Sequence, residues 1–292
     1  ISEVQQNVTN NPLIISGAAL IVIAMSFKIA LVPFHMWTPD VYTGAPTPIT
    51  GFLSGAAKAA GFAIFIRIFF NGISLKGENW EQLFWTISVL TMTVGNIMAL
   101  RQSEVKRMLA FSSIAHAGYV MIAVVVGNES AISSIIFYSL AYGLMGAGAF
   151  GVLSIKDAGR IPKTFEDMGG YGKRNPILAL LMTLFIFSLI GLPLTGGFIG
   201  KFQIFSSALQ EGWFWLTIFG ILNSALSVYY YLRVVMFMYM RDAALPEGSK
   251  FAGSSIGFAL TGLLGTAVAI IYLGIFPDKI MELASSSIIA LL

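Results

Sequence analysis

Three lysines and one histidine stand where a strongly apolar chain should not keep charge. Lys28, Lys58 and Lys201 lie inside the runs MSFKIAL, SGAAKAAGF and GGFIGKFQIF, and His116 lies in SSIAHAGYVMIA. Burial penalises an ammonium and a nearby charge shifts that balance, so a buried lysine can move between charged and neutral as its neighbours change. Arginine cannot, because its guanidinium keeps its proton. Imidazole, with an unperturbed pKa of about 6.5, exchanges protons readily. Together these groups are the ingredients of a proton relay. The bland alternatives are lysines that snorkel to the headgroups and a neutral packing histidine. Lys58, well inside its run, fits snorkelling worst.

Further polar groups share these runs: Thr91, Thr93, Asn96, Ser112, Ser113, Tyr119, Ser139, Tyr142, Asn223, Ser224 and Ser227. They could hydrate a path between the lysines, or simply hydrogen-bond helix to helix. No Asp or Glu lies deep in any apolar run. The lysines therefore have no acidic partner of their own chain at membrane depth. A charge there costs roughly 2.5–3.5 kcal/mol on insertion scales, so keeping three argues for use.

Composition sets the solvent. Of 292 residues, 57% are hydrophobic and 11% charged, against about 25% charged in ordinary soluble domains. Mean hydropathy is +0.81. The medium for most of this chain is lipid. With no cysteine, disulfides, thiolate nucleophiles, iron–sulfur clusters and thiolate-bound zinc are excluded. Two histidines are too few for stacked bis-histidine haems, so any electron transfer belongs to another chain. The chain opens on Ile1 without a charged leader, and it is expected to begin partway through a longer protein.

Apolar runs of about 20 residues predict membrane helices. Eight are expected, over 13–34, 48–71, 80–100, 108–127, 130–155, 177–210, 213–240 and 253–276, giving an all-α polytopic fold. Residues 277–292 read as a short interfacial helix. Alternating the loops puts Arg101, Lys106, Arg107, Lys156, Arg160, Lys163, Lys173, Arg174, Arg233, Arg241 and Lys250 on one side, and Arg67, Lys76 and Lys279 on the other. The basic excess marks the cytoplasmic side, so both ends of the chain are expected outside. The net charge of +3 reflects this topology.

Two spans carry helix breakers beside a lysine. Pro33 follows Lys28, and the sixth span is interrupted by Gly191-Leu192-Pro193-Leu194-Thr195-Gly196-Gly197 ahead of Lys201. Proline removes a backbone donor, and at membrane depth a break is tolerated only inside protein or beside a watery cavity. The two spans run in opposite directions. Interrupted spans of opposed direction point to an inverted-repeat transporter; the ordinary proline kink is the alternative.

The segment FKIALVPFHMWTPDVYTGAPTPITGFLSGAAKAAGFAIFIR (27–67) resembles the antiporter-like, proton-translocating subunits of respiratory complex I. PFHMWTPDVYTGAPTP is similar to their N-type members. Further matches are VKRMLAFSSIAHAGYVMIA (105–123), NPILALLMTLFIFSLIGLPLTGGFIGKFQIF (175–205) and SVYYYLRVV (227–235). The resemblance implies a fold of fourteen helices with two inverted five-helix repeats, of which the eight spans correspond to the last eight. Residues 1–12 would be an external segment, 13–71 would close the first repeat, 80–240 would form the second, and 253–292 would be the final helix and tail. Lys28 matches the lysine of the broken seventh helix, which the family pairs with a glutamate on an earlier helix. Lys58 matches the connecting lysine, His116 the axial histidine, Lys201 the lysine of the broken twelfth helix, and His35 the histidine just past the first break. Pro33, Pro193, Tyr119, Ser112 and Asn223 support them. Many members carry two prolines where this chain has Pro193-Leu194.

The resemblance implies a proton-translocating subunit of NADH–quinone oxidoreductase in the bacterial inner membrane. The chain itself would bind no cofactor; NADH, FMN, iron–sulfur clusters and quinone would belong to partner subunits. Its neighbours would be an M-type antiporter-like subunit, small K- and J-type subunits and the lipid bilayer, with no nucleic acid. The alternative is a subunit of an Mrp-type cation/proton antiporter. A third reading is a scaffold whose lysines only pair with neighbours.

Overall fold

The computed structural model describes residues 12–72, 78–155, 162–242 and 255–291. Those residues are almost wholly helical, because a backbone in hydrocarbon must satisfy its own hydrogen bonds. In chain order the helices are α1 (Pro12–Ile29), α2 (Trp37–Gly44), α3 (Thr47–Phe52), α4 (Lys58–Ile66), α5 (Glu78–Leu100), α6 (Val105–Val126), α7 (Glu129–Ser154), α8 (Tyr171–Arg174), α9 (Pro176–Ile190), α10 (Gly196–Gln210), α11 (Phe214–Met240), α12 (Ser255–Ile275) and α13 (Asp278–Leu291). A π-helical turn, Leu53–Ala57, joins α3 to α4, and a second, Arg67–Gly72, extends α4. Seven helical stretches are long and apolar enough to cross a membrane. α9 and α10, each of 15 residues, are joined end to end across the second break.

Local signals set several ends. Asn128 caps α7 by accepting the Ala131 N–H, the usual use of a short polar side chain there. Pro176 opens α9, where a missing N–H costs nothing. Thr195 caps α10 through the Phe198 N–H.

Both breaks exist, and they close alike. At the end of α1 the Ala30 N–H bonds Phe27 O and the Leu31 N–H bonds Ser26 O, with Ala30 at φ 63°. At the end of α9 the Gly191 N–H bonds Ser188 O and the Leu192 N–H bonds Phe187 O, with Gly191 at φ 90°. Each is a Schellman closure with one left-handed residue. The first break corrects the expected boundary. The helix stops at Ile29 rather than running to residue 34, and the chain resumes as α2 past the cis Val32–Pro33 bond. Thr91 of α5 holds the break, its Oγ1 accepting the Val32 N–H at 3.0 Å.

α6 is the axle, buried along almost its entire length. It packs most extensively on α5, where Ser88 Oγ bonds Gly118 O at 2.9 Å. A Cβ on Gly118 would lie 2.6 Å from the Met92 backbone nitrogen. Gly118→Leu is therefore expected to force the two helices apart and abolish stable insertion, read as loss of the protein from detergent-solubilised membranes.

Loops gather at two ends. At one end Lys106 Nζ donates to Thr43 O and Ala45 O, and Arg107 pairs with Asp40 at 2.8 Å. Glu104 bridges Thr164, and Arg233 reaches Gln102 O and lies 4.0 Å over the Phe165 ring. At the other end Asn128 bonds Glu211. Lys106, Arg107 and Arg233 thus share an end, as the loop alternation requires. Lys76, Lys156, Arg160, Lys250 and residues 1–11 lie outside the described residues. The tail forms α13, which packs against α7 and sets Ile280 and Met281 on the core.

Candidate functional site

α6 presents four polar side chains to the interior in two turns: Ser112, Ser113, His116 and Tyr119. α4 brings Lys58 to one side of them and α10 brings Lys201 to the other. Lys58 is 5% exposed, Lys201 4% and His116 2%. Among the described residues no carboxylate is buried with them.

Lys58 Nζ donates to Ser113 O at 2.6 Å and to Ser113 Oγ at 3.0 Å. An ammonium has three donors, and this one borders a cavity lined by Lys58, Ser113, His116, Ser139 and Tyr142. The cavity is just large enough for about one water. A water there would lie against both the lysine and the histidine ring.

Lys201 has a fuller set of partners. Its Nζ donates to Leu189 O at 3.0 Å, Ile190 O at 2.9 Å and Ser224 Oγ at 3.0 Å. The two carbonyls are the open end of α9, left free where the helix breaks. A helix C-terminus carries partial negative charge, so the break itself supplies the counter-charge that no carboxylate provides.

His116 has a tyrosine on each nitrogen. Nδ1 lies 2.5 Å from Tyr138 Oη and Nε2 lies 2.9 Å from Tyr231 Oη, which in turn bonds Ser112 Oγ. Neutral imidazole donates from one nitrogen and accepts at the other. The row therefore runs Tyr138 to His116 to Tyr231 to Ser112 in one tautomer and reverses in the other. Such a reversal is what one proton passing along the row produces.

A second cluster adjoins it. Asn96 Nδ2 donates to Tyr119 Oη at 3.3 Å and to Asn223 O and Oδ1 at 3.1 Å each, and Tyr230 donates to Asn96 Oδ1 at 2.9 Å. Asn223 also donates to Thr93. The Tyr119 ring faces Lys201 Nζ at 5.0 Å and meets the His116 ring edge-on at 5.6 Å.

The structure thus gathers Lys58, His116, Lys201, Ser112, Tyr119 and Asn223. Lys28 stands apart. It occupies the last turn of α1, exposed, with its stem near Gly61 on α4. His35 and Pro33 lie in the first break, where His35 O accepts the Thr38 N–H. Pro193 is exposed in the second break. Sequence reasoning missed Tyr138, Tyr230 and Tyr231, all buried. Their signal was a phenol repeatedly placed in apolar runs, which aromatic packing alone also explains.

Opposed broken helices, a buried lysine on each side of a histidine, and carbonyls as counter-charge define an antiporter-like membrane protein. The chain belongs to the family described as NADH:quinone oxidoreductase/Mrp antiporter, transmembrane, whose profile matches residues 1–227. It is 46% identical over 280 residues to NADH-quinone oxidoreductase subunit N of Trichlorobacter lovleyi, covering 96% of this chain and 57% of that one. A chain of respiratory complex I from Thermus thermophilus with bound aureothin superposes with a TM-score of 0.79 at 35% identity, covering 94% of this chain and 60% of that one. A chain of the Mrp complex from Dietzia sp. DQ12-45-1b superposes at 0.84, covering 95% and 59%. At 20% identity that likeness establishes fold only. The chain spans a little over half the length of the curated relative it matches.

Proposed function

We propose that this chain is part of a proton-translocating membrane subunit of an NADH–quinone oxidoreductase. Its protons move along Lys58, His116 and Lys201 when chemistry in other subunits changes the charge nearby. The observation that carries this reading is the pair of buried lysines held by neutral acceptors on either side of a doubly bonded histidine. Lys28 is the entry-side member, exposed on α1 and available to a carboxylate from elsewhere in the full-length subunit. Residues 13–71 close one repeat, 80–240 form its inverted counterpart and 253–292 brace it. The site lies in the bacterial inner membrane, with the Lys106–Arg107 end cytoplasmic. An M-type subunit and small K- and J-type subunits are the neighbours, and NADH, FMN, iron–sulfur clusters and quinone are bound in partner subunits.

Lys58→Ala in the full-length protein, in native membranes, tests this. NADH oxidation and the proton gradient are recorded together in assembled complex. Both are expected to fall, the gradient by roughly tenfold or more. Unchanged values for both would make Lys58 a packing residue and end the relay reading.

A further inference from the structure

We propose that Asn96 is a positioning residue that latches Tyr119 across the step between His116 and Lys201. The proposal rests on the relay reading above and adds a barrier to it.

The hydrogen bonds fall into two sets with a gap between them. One set runs Tyr138, His116, Tyr231 and Ser112. The other holds Lys201, its three donors directed at Leu189 O, Ile190 O and Ser224 Oγ. No hydrogen bond joins the two sets among the described residues. The Tyr119 ring touches both, at 5.6 Å from the imidazole and 5.0 Å from the ammonium. A ring face attracts a cation but has no proton to exchange. The one exchangeable group of Tyr119, its hydroxyl, is turned toward Asn96.

Asn96 is built to keep it there. The side chain is fully buried, with 0% exposure, and both ends of its amide are engaged. Its oxygen accepts from Tyr230 and its nitrogen is shared between Tyr119 and Asn223. These partners come from α6 and α11, so α5 fixes the tyrosine against two other helices. Phe205 of α10 packs edge-on against the same ring. Latched, Tyr119 screens Lys201 from His116. Released, its hydroxyl can swing toward either group and complete the row. The bond to Asn96, at 3.3 Å, is longer than the other bonds Asn96 makes.

The test uses the full-length complex in native membranes, carrying Asn96→Leu, Tyr119→Phe and the pair together, beside Lys58→Ala. Protons moved per NADH oxidised are the readout. With the latch lost, that ratio is expected to fall at least roughly twofold in Asn96→Leu while NADH oxidation persists. Tyr119→Phe keeps the ring volume but removes the hydroxyl that completes the row, so its ratio should fall as well. The double variant should match Tyr119→Phe, because a latch has no effect once the hydroxyl it holds is gone. An unchanged ratio in assembled Asn96→Leu overturns the latch, and so do additive losses in the double variant. If Asn96→Leu fails to assemble, Tyr119→Phe decides alone, and a wild-type ratio there also overturns it. A fall in Lys58→Ala with wild-type ratios in the other variants would remove the latch and leave the relay standing. No change in Lys58→Ala would remove the relay itself.

Discussion

Under the proposed relay, Lys201→Ala is expected to lower proton translocation by the full-length subunit on the order of a hundredfold, with a loss of stability as well. Among the described residues, the ammonium donates to the Leu189 and Ile190 carbonyls that α9 leaves open at its end. Each buried carbonyl left without a donor costs about 1–3 kcal/mol. Assembly and transport would therefore fall together, and alanine alone cannot separate a pairing cation from a proton carrier. Lys201→Arg does. Arginine keeps the charge and brings more donors, but does not give up its proton. The arginine variant should assemble better than the alanine variant and still fail to move protons. Translocation at the wild-type rate in Lys201→Arg would sink the relay role and leave a structural cation. Blue-native electrophoresis reports assembly, and a pH-sensitive dye in vesicles reports transport.

The second large effect is expected at His116. Replacing it with leucine removes both ring nitrogens, strands the Tyr138 hydroxyl and leaves Tyr231 with Ser112. Translocation should drop on the order of a hundredfold, and thermal stability should fall with it. The two losses have separate causes. Removing the partners of a lost polar group as well is often nearly neutral, because nothing unpaired is then buried. Adding Tyr138→Phe to His116→Leu should therefore recover much of the stability and none of the transport. If that double variant pumps, the imidazole is a packing group. Thermal unfolding of the purified complex reads the first effect and vesicle acidification the second.

The helices were legible because hydrophobic run length is a direct consequence of bilayer thickness. The buried lysines were legible for the converse reason, since charge in such runs is rare and costly. The first helix was expected to end five residues later than it does, at 34 instead of Ile29. Proline advertises a break, but the helix closes ahead of it at Ala30, and alanine is the best helix former of all. An alanine at positive φ costs about 1 kcal/mol and leaves no mark in composition. Gly191 does the same job at the second break and was read easily. The depth of Lys28 was not legible either. A run predicts that a residue lies within the bilayer's span, not which side of the helix is covered, and here that side is open. Tyr138 and Tyr231 were missed because a phenol in an apolar helix packs whether or not its hydroxyl is used. Only the meeting of α6, α7 and α11 shows that both hydroxyls address one histidine.

The π-helical turn Leu53–Ala57 ends one residue before Lys58. Such a turn holds one more residue than an α-helical turn would in the same rise, so it advances everything after it by about 100° around the axis. Without that wedge, α4 would meet α6 with a different flank, and the residue facing Ser113 would be a neighbour of Lys58. The lysine's address in the protein is thus written in the phase of its helix, set by one surplus residue upstream. Absorbing or releasing that residue would roll Lys58 toward or away from Ser113 without unfolding either helix.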